Sequence, residues 1–173
     1  MTPETKGQLL AALPRLRRFT RALTGNAHDA DDLVQTACER AIRQIAQFRP
    51  GTRMDSWLYR IAQTAWIDQA RARRVRADHA MAVTAQATEA DGGEDVVLGR
   101  ARLHVVDAAL ATLPEEQRAV VLLVCVEELS YAEAAEVLGV PVGTVMSRLS
   151  RGRLALRTLV DAGKVSGGGV GAP

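Results

Sequence analysis

Between Thr144 and Arg151 the chain carries side chains with the chemistry of a nucleic-acid reader. Thr144, Ser147, Arg148 and Arg151 recur at spacings of three and four, so a helix would gather hydroxyl and guanidinium groups on one side. Such groups donate hydrogen bonds to phosphates and to base edges. The other side of that helix would be Val142, Val145, Leu149, Gly152 and Leu156, an inward stripe. A shorter helix is expected just before it. Ser130 and Glu133 have the spacing of a capping box, Ala134, Ala135 and Leu138 form its buried face, and Gly139 stands where it must stop. Pro141 then helps the second helix to begin. Two helices joined by a tight turn, the second one polar and basic, read as a DNA-reading helix-turn-helix. An ordinary helical hairpin with a solvated basic face is the alternative. The coincidence of capping box, glycine and basic face weighs against it.

The elements that must position this pair are helical too. Hydrophobic residues make up 47% of the 173 residues and aromatic ones only 3%, with little strand-like alternation, which predicts an all-α chain. A net charge of +2 conceals an uneven distribution. Residues 1–78 hold 14 Lys/Arg against 8 Asp/Glu, residues 79–113 hold 2 against 5, and residues 142–164 hold 5 against 1. Two basic surfaces separated by an acidic segment suit a protein that touches a polyanion at two places. Cys38 and Cys125 lie in apolar helical runs and are read as buried structural thiols rather than a redox pair. No spacing suggests zinc, and no cofactor is implied. No signal segment or membrane span is evident, so the expected location is cytoplasmic.

In chain order, Leu9, Leu10, Leu13, Leu16, Phe19 and Leu23 mark a first helix over 7–24, with Pro14 as its kink or its true start. Asp29 is the expected cap of a second helix, whose stripe runs from Leu33 through Ala37, Cys38, Ala41, Ile42 and Ile45 to Phe48. After Pro50-Gly51 a third helix begins near Asp55 or Ser56, runs through Trp57, Leu58, Ile61 and Trp66, and ends in Arg71, Arg73, Arg74 and Arg76. Residues 78–95 read as a flexible linker, spanning on the order of 24 Å. A helix from Val96 to Thr112 follows, with Leu98, Leu103, Val106 and Leu110 as its stripe. Pro114, Glu115 and Glu116 open the next. The apolar run Val120–Val126 suits a buried strand as well as a helix, and its flanks decide for helix. Residues 161–173 read as a disordered tail.

Four motifs in this order resemble the extracytoplasmic-function (ECF) sigma factors, the small two-domain class of bacterial RNA polymerase specificity subunits. They are DADDLVQTACERA (29–41), WLYRIAQTAWID (57–68), LPEEQRAVVLL (113–123) and the helix-turn-helix with GVPVGTVMSRLSRGR. The resemblance implies two helical domains, 7–77 for the polymerase clamp and the minus-ten element and 96–160 for the minus-thirty-five element. It maps polymerase binding onto Asp31, Asp32, Leu33, Gln35 and Thr36. It maps capture of a flipped minus-ten base onto the loop Pro50–Ser56, with Thr52, Arg53, Asp55 and Ser56, and onto the helix from Trp57. Trp57 itself is read as core, with base stacking as the alternative. Arg60, Arg71, Arg73 and Arg74 suit phosphates near the melted region. In the second domain the base-facing positions are Met146, Ser147, Ser150 and Arg151, with Arg148 and Arg153 toward the backbone. Arg151 is the leading base reader, since arginine donates two hydrogen bonds to guanine.

Two positions depart from the family pattern, Met146 where Lys or Arg is common and Thr64 where Asn is common. Both bear on the promoter sequence rather than on the class. Partners implied are core RNA polymerase, promoter DNA and an anti-sigma factor that competes with polymerase. A sigma-like decoy that reads no DNA and a stand-alone repressor are the rival readings. The decoy has no need of Arg148, Arg151 and the 71–76 cluster, and the repressor lacks a leucine-rich dimer helix. An enzyme has least support: there is no phosphate-binding glycine loop and no nucleophile–base pair. His28, His79 and His104 read as surface histidines. With no receiver domain ahead of residue 7, phosphorylation control within the chain is not expected.

Overall fold

The computed structural model describes residues 1–80 and 108–166, which are helix and connecting turns with no strand among them. The chain divides into two compact units, Met1–Arg21 with Asn26–Gly93 and Ala22–Gly25 with Glu94–Pro173. The expected helix from Val96, with Leu98, Leu103 and Val106, lies mostly outside the described residues, as does the linker beyond residue 80.

The first unit is built on α1 (Pro3–Thr24), α2 (Ala27–Arg43) and α3 (Met54–Ala80). Helix α1 begins earlier than expected and passes through Pro14 without ending. The ring removes the bond to the Leu10 carbonyl, but Leu10 and Pro14 are both exposed, so water can serve that group. Leu10 and Ile42, which the periodicity put in the stripes, are instead outside the core. Asn26, not Asp29, caps α2: its side chain accepts from the backbone N–H groups of His28 (2.8 Å) and Asp29 (3.2 Å). The helix ends at Arg43, and a 3₁₀ turn, Ile45–Gln47, carries the chain to Phe48. Leu16, Phe19, Leu33, Ala37, Leu58, Tyr59 and Ala62 fill the core, with the Phe19 and Tyr59 rings 4.8 Å apart. Arg40 on α2 pairs with Asp68 on α3 at 3.0 Å. Helix α3 starts at Met54 and continues to Ala80, so His79, assigned to the linker, is helical.

In the second unit the helical residues 108–112 lead to Pro114, which opens α4 (Glu115–Val121) with two acidic residues in its first turn. The ambiguous run is helix, but its last five residues, Leu122–Val126, widen to a π-helical turn. The Glu127 amide reaches back five residues to the Leu122 carbonyl at 3.0 Å. Cys125 on this turn is exposed rather than buried, and Cys38 in the first unit is half-buried. Burial raises the Cys38 thiol above its ordinary value, against the opposing pull of Arg17, so it stays protonated at neutral pH.

Helices α5 (Tyr131–Leu138) and α6 (Val142–Ser166) follow. The capping box is present, with Ser130 Oγ accepting from the Glu133 amide and the Glu133 carboxylate accepting from the Ser130 amide. Gly139 ends α5 in the left-handed region, φ 64°, and the Val140 amide returns to the Ala135 carbonyl at 3.1 Å. Ala134, Ala135 and Val137 are buried; Leu138 is only half so. Pro141 sits just before α6, its carbonyl accepting from Thr144 and Val145. Val145, Leu149 and Gly152 face inward as expected, whereas Val142 at the open first turn is exposed. Helix α6 continues through residues 161–166, where a tail was expected.

At Gly152 α6 passes close against α4. A Cβ there would lie 2.8 Å from Val121 Cγ2 and 3.6 Å from the Gln117 carbonyl oxygen. Val121 is buried and β-branched, with one strongly preferred rotamer in a helix, so it yields only at a cost. Overpacking of this kind costs about 1–3 kcal/mol, which outweighs the roughly 1 kcal/mol that alanine gains in helix propensity. Gly152→Ala is expected to lower the urea midpoint modestly, and Gly152→Val substantially. A parental midpoint for Gly152→Val would contradict the close crossing.

Candidate nucleic-acid interface

With Val145, Leu149 and Gly152 turned inward, helical periodicity leaves Gly143, Ser147, Ser150, Arg151 and Leu154 as the outward face of α6. All five are exposed. Ser147 Oγ turns back to the Thr144 carbonyl at 3.1 Å, and Arg151 Nε to the Ser147 carbonyl at 3.3 Å. Arg151 is exposed, and among the described residues its terminal amines make no hydrogen bond and it makes no ion pair. Met146 is exposed beside this face.

Arg148 and Arg153 on the same helix are engaged. Arg148 reaches Glu116 of α4 at 2.6 Å and is mostly buried. Arg153 donates to Cys125 Sγ at 3.4 Å, on a different side of the helix from Ser147. The motif pattern identified the helix but missed Glu116 as a partner and Leu154 as an exposed apolar side chain. Only the fold brings Glu116 to α6, whereas the helical period carried the signal that would have placed Leu154 outward.

In the first unit the loop between the 3₁₀ turn and α3 closes on itself. Gly51 takes a positive φ of 86°, and the Thr52 hydroxyl and amide both donate to the Arg49 carbonyl, at 2.7 and 3.2 Å. Arg53 accepts the Trp57 amide on its carbonyl and folds its side chain onto Asp55. Burial raises the Asp55 carboxyl, but hydrogen bonds from Arg53, the Ser56 amide and Arg15 win, and it is held below the usual carboxylate range. Ser56 Oγ is buried without a partner among the described residues. Trp57 is half-buried, its ring 5.3 Å from Phe48, so it is neither fully core nor freely offered to a base.

Along α3, Arg60, Thr64 and Arg71 are exposed, and the Thr64 hydroxyl is turned onto the Arg60 carbonyl. Arg73 lies over the Trp66 ring at 4.4 Å and faces Asp29 at 3.5 Å, so it is tied to the protein surface rather than extended. Arg74 lies on the same helix, with its side chain outside what is described.

The acidic start of α2 is open. Asp31, Asp32 and Gln35 are exposed, Thr36 is half-buried with its hydroxyl on the Asp32 carbonyl, and Gln35 donates to Glu39 at 3.1 Å. Asp32 faces His28 at 3.7 Å. Leu33 departs from the expected contact set: it has no exposed surface and belongs to the core stripe. Among the described residues no helix is long and apolar enough to cross a membrane.

Comparison with known proteins agrees with this geometry. Residues 9–76 match Sigma-70 region 2, and residues 103–156 match Sigma-70 region 4. The chain is 36% identical over 160 residues to the ECF RNA polymerase sigma factor EcfG of Rhodopseudomonas palustris, covering 92% of this chain and 87% of that one. It is 36% identical over 146 residues to the ECF RNA polymerase sigma factor SigW of Bacillus subtilis, covering 78% and 77%. Among solved structures, the sigma factor RpoE of Bartonella quintana, crystallised with the anti-sigma factor NepR, superposes with a TM-score of 0.79 at 29% identity, covering 92% of this chain and 98% of that one. CnrH, solved with the cytosolic domain of CnrY, gives 0.64 at 29% identity, covering 90% and 87%. Two helical units, the outward polar face of α6 and kinship over nearly the whole length make this chain a member of the ECF RNA polymerase sigma factors.

Proposed function

We propose that the chain, acting as a sigma factor on core RNA polymerase, divides its work between the two units. The first, about residues 7–77, docks on polymerase through Asp31, Asp32, Gln35 and Thr36, and holds the melted minus-ten element at the loop 50–56. The second, about 96–160, lays α6 in the major groove of the minus-thirty-five element. The observation that carries the reading is the outward face of α6, where Ser147, Ser150 and Arg151 stand exposed behind a capped helix-turn. Exposed carboxylates at Asp31 and Asp32 suit basic groups on a protein partner rather than DNA. Arg60 and Arg71 suit phosphates, and Arg73 joins them only by leaving Asp29. Work of this kind belongs in the cytoplasm.

Each unit offers a small basic surface, and unstacking a base costs a few kcal/mol that few side chains can offset alone. The purified chain is therefore expected to bind promoter duplex weakly at physiological salt, whereas the chain with core polymerase initiates at defined sites in run-off transcription. Tight, specific duplex binding by the free chain would instead indicate a repressor. The solved RpoE of Bartonella quintana is bound by the anti-sigma factor NepR, and a regulator of that kind is expected to silence the same run-off reaction at one-to-one stoichiometry by competing with polymerase.

A further inference from the structure

Asp55 stands in the loop assigned to the minus-ten element, yet its carboxylate has nothing left to offer a base. Both oxygens are saturated. Oδ2 accepts from Arg15 Nη1 at 2.8 Å and Arg53 Nη2 at 2.9 Å, and Oδ1 accepts from Arg53 Nε at 3.1 Å and the Ser56 amide at 2.8 Å. A carboxylate has about four acceptor sites, and four donors occupy them. The side chain is only 12% exposed. A bare carboxylate would repel DNA, whereas this one sits between two guanidinium groups, leaving the cluster with a net positive charge.

The donors come from three places in the first unit. Arg15 belongs to α1 and is forty residues away in sequence; Arg53 immediately precedes α3; Ser56 lies in the first turn of that helix. The Arg53 contact is a two-pronged one, which fixes orientation as well as distance. At the other end of the loop, Gly51 and the double bond from Thr52 to Arg49 close the turn. The loop is thus tied at both ends, by a local turn on one side and by a long-range clasp onto α1 on the other.

We propose that Asp55 is a positioning residue, not a DNA contact, and that together with Arg15 of α1 it sets the loop conformation on which minus-ten discrimination depends. Arg15 thereby becomes part of the minus-ten machinery without touching a base. The inference rests on the reading that the loop 50–56 engages the minus-ten element, and the experiment separates the two.

Holoenzyme is assembled from core polymerase and the full chain, carrying Arg15→Ala, Asp55→Asn, both together, or Thr52→Ala with Trp57→Ala. Affinity is measured on fork-junction promoters with the preferred minus-ten sequence and with single-base variants of it. Asp55→Asn and Arg15→Ala are each expected to reduce the discrimination ratio by roughly three- to tenfold, about the worth of one net hydrogen bond. The double variant should do no worse than Asp55→Asn, because Arg15 acts through Asp55. Arg15 is half-exposed and can be truncated with little risk to the core. Parental discrimination in Asp55→Asn, alongside relaxed discrimination in the Thr52/Trp57 variant, overturns the clasp and leaves the loop reading intact. Parental discrimination in every variant overturns the loop reading, and the clasp with it. A uniform loss across all minus-ten sequences, matched by a lower melting temperature, overturns positioning in favour of a merely structural role.

Discussion

Arg118→Ala is expected to destabilise the second unit by about 3 kcal/mol, because the backbone carbonyls of Ala111 and Leu113 lose a charged donor. Arg118 is 8% exposed, and Nη2 donates to the Ala111 carbonyl at 2.7 Å and the Leu113 carbonyl at 3.0 Å. Those oxygens stand in the turn that joins the helical residues 108–112 to α4 and cannot bond within a helix. Burial lowers the Arg118 guanidinium from its ordinary value, while Glu115 pulls the other way. An arginine still keeps its charge there, and its planar fork spans two acceptors where a lysine ammonium is a single point. Arg118→Lys should therefore recover only part of the loss, and Arg118→Met, which restores the aliphatic volume, should recover none of the bonding. For a unit of this size the deficit lowers the melting temperature by on the order of 10 °C or more. Thermal unfolding of the full chain followed by circular dichroism reads it. A midpoint within a degree or two of the parent would show that water satisfies both carbonyls once the side chain is gone.

Arg118 also illustrates what one sequence conceals. It lay in plain view inside LPEEQRAVVLL, among the residues that carried the family resemblance, yet nothing in its spacing announced a buried capping role. The same holds for the Asp55 clasp, which joins residues forty apart, and for Arg40 with Asp68. Such pairs form because the fold brings faces together, and no local pattern encodes them. Local chemistry was legible for the opposite reason. Ser130, Glu133 and Gly139 act within a few residues of themselves, so the capping box and the helix stop stood as expected. The cap of α2 was misassigned because Asn26 and Asp29 both carry the right oxygen, and only the backbone geometry at Asn26 chooses between them. The π-helical turn at Leu122–Val126 was illegible, since five apolar residues in a row have no period to read. Leu33 teaches a sharper lesson: the stripe that put it in the core and the motif that put it at the polymerase surface could not both hold. Burial decided for the core.

At the minus-thirty-five element, Arg151→Ala is expected to cost about 1–3 kcal/mol on the preferred sequence, roughly fivefold to 150-fold in affinity, and to relax discrimination there. The argument is one of availability. Of the arginines on α6 that the family pattern brings to DNA, Arg148 is held by Glu116 and Arg153 by Cys125. Arg151 alone of these three lies on the outward face with its terminal amines uncommitted among the described residues. Two parallel donors on a rigid plane match the two acceptors that guanine presents in the major groove, whereas Met146 beside it offers only apolar contact, as to a thymine methyl group. Arg148→Ala gives the contrast. It removes an ion pair that braces α6 against α4, so it should weaken every promoter alike and leave the order of preference unchanged. Salt separates the two cases further. A base contact releases no condensed counterion, so Arg151→Ala should leave the slope of log affinity against log salt nearly as it was. Holoenzyme affinities for a set of minus-thirty-five variants, each at several salt concentrations, decide the matter. An equal loss on every variant, with a salt slope shallower by about one unit, would make Arg151 a phosphate contact and pass the reading of bases to Ser147 and Ser150.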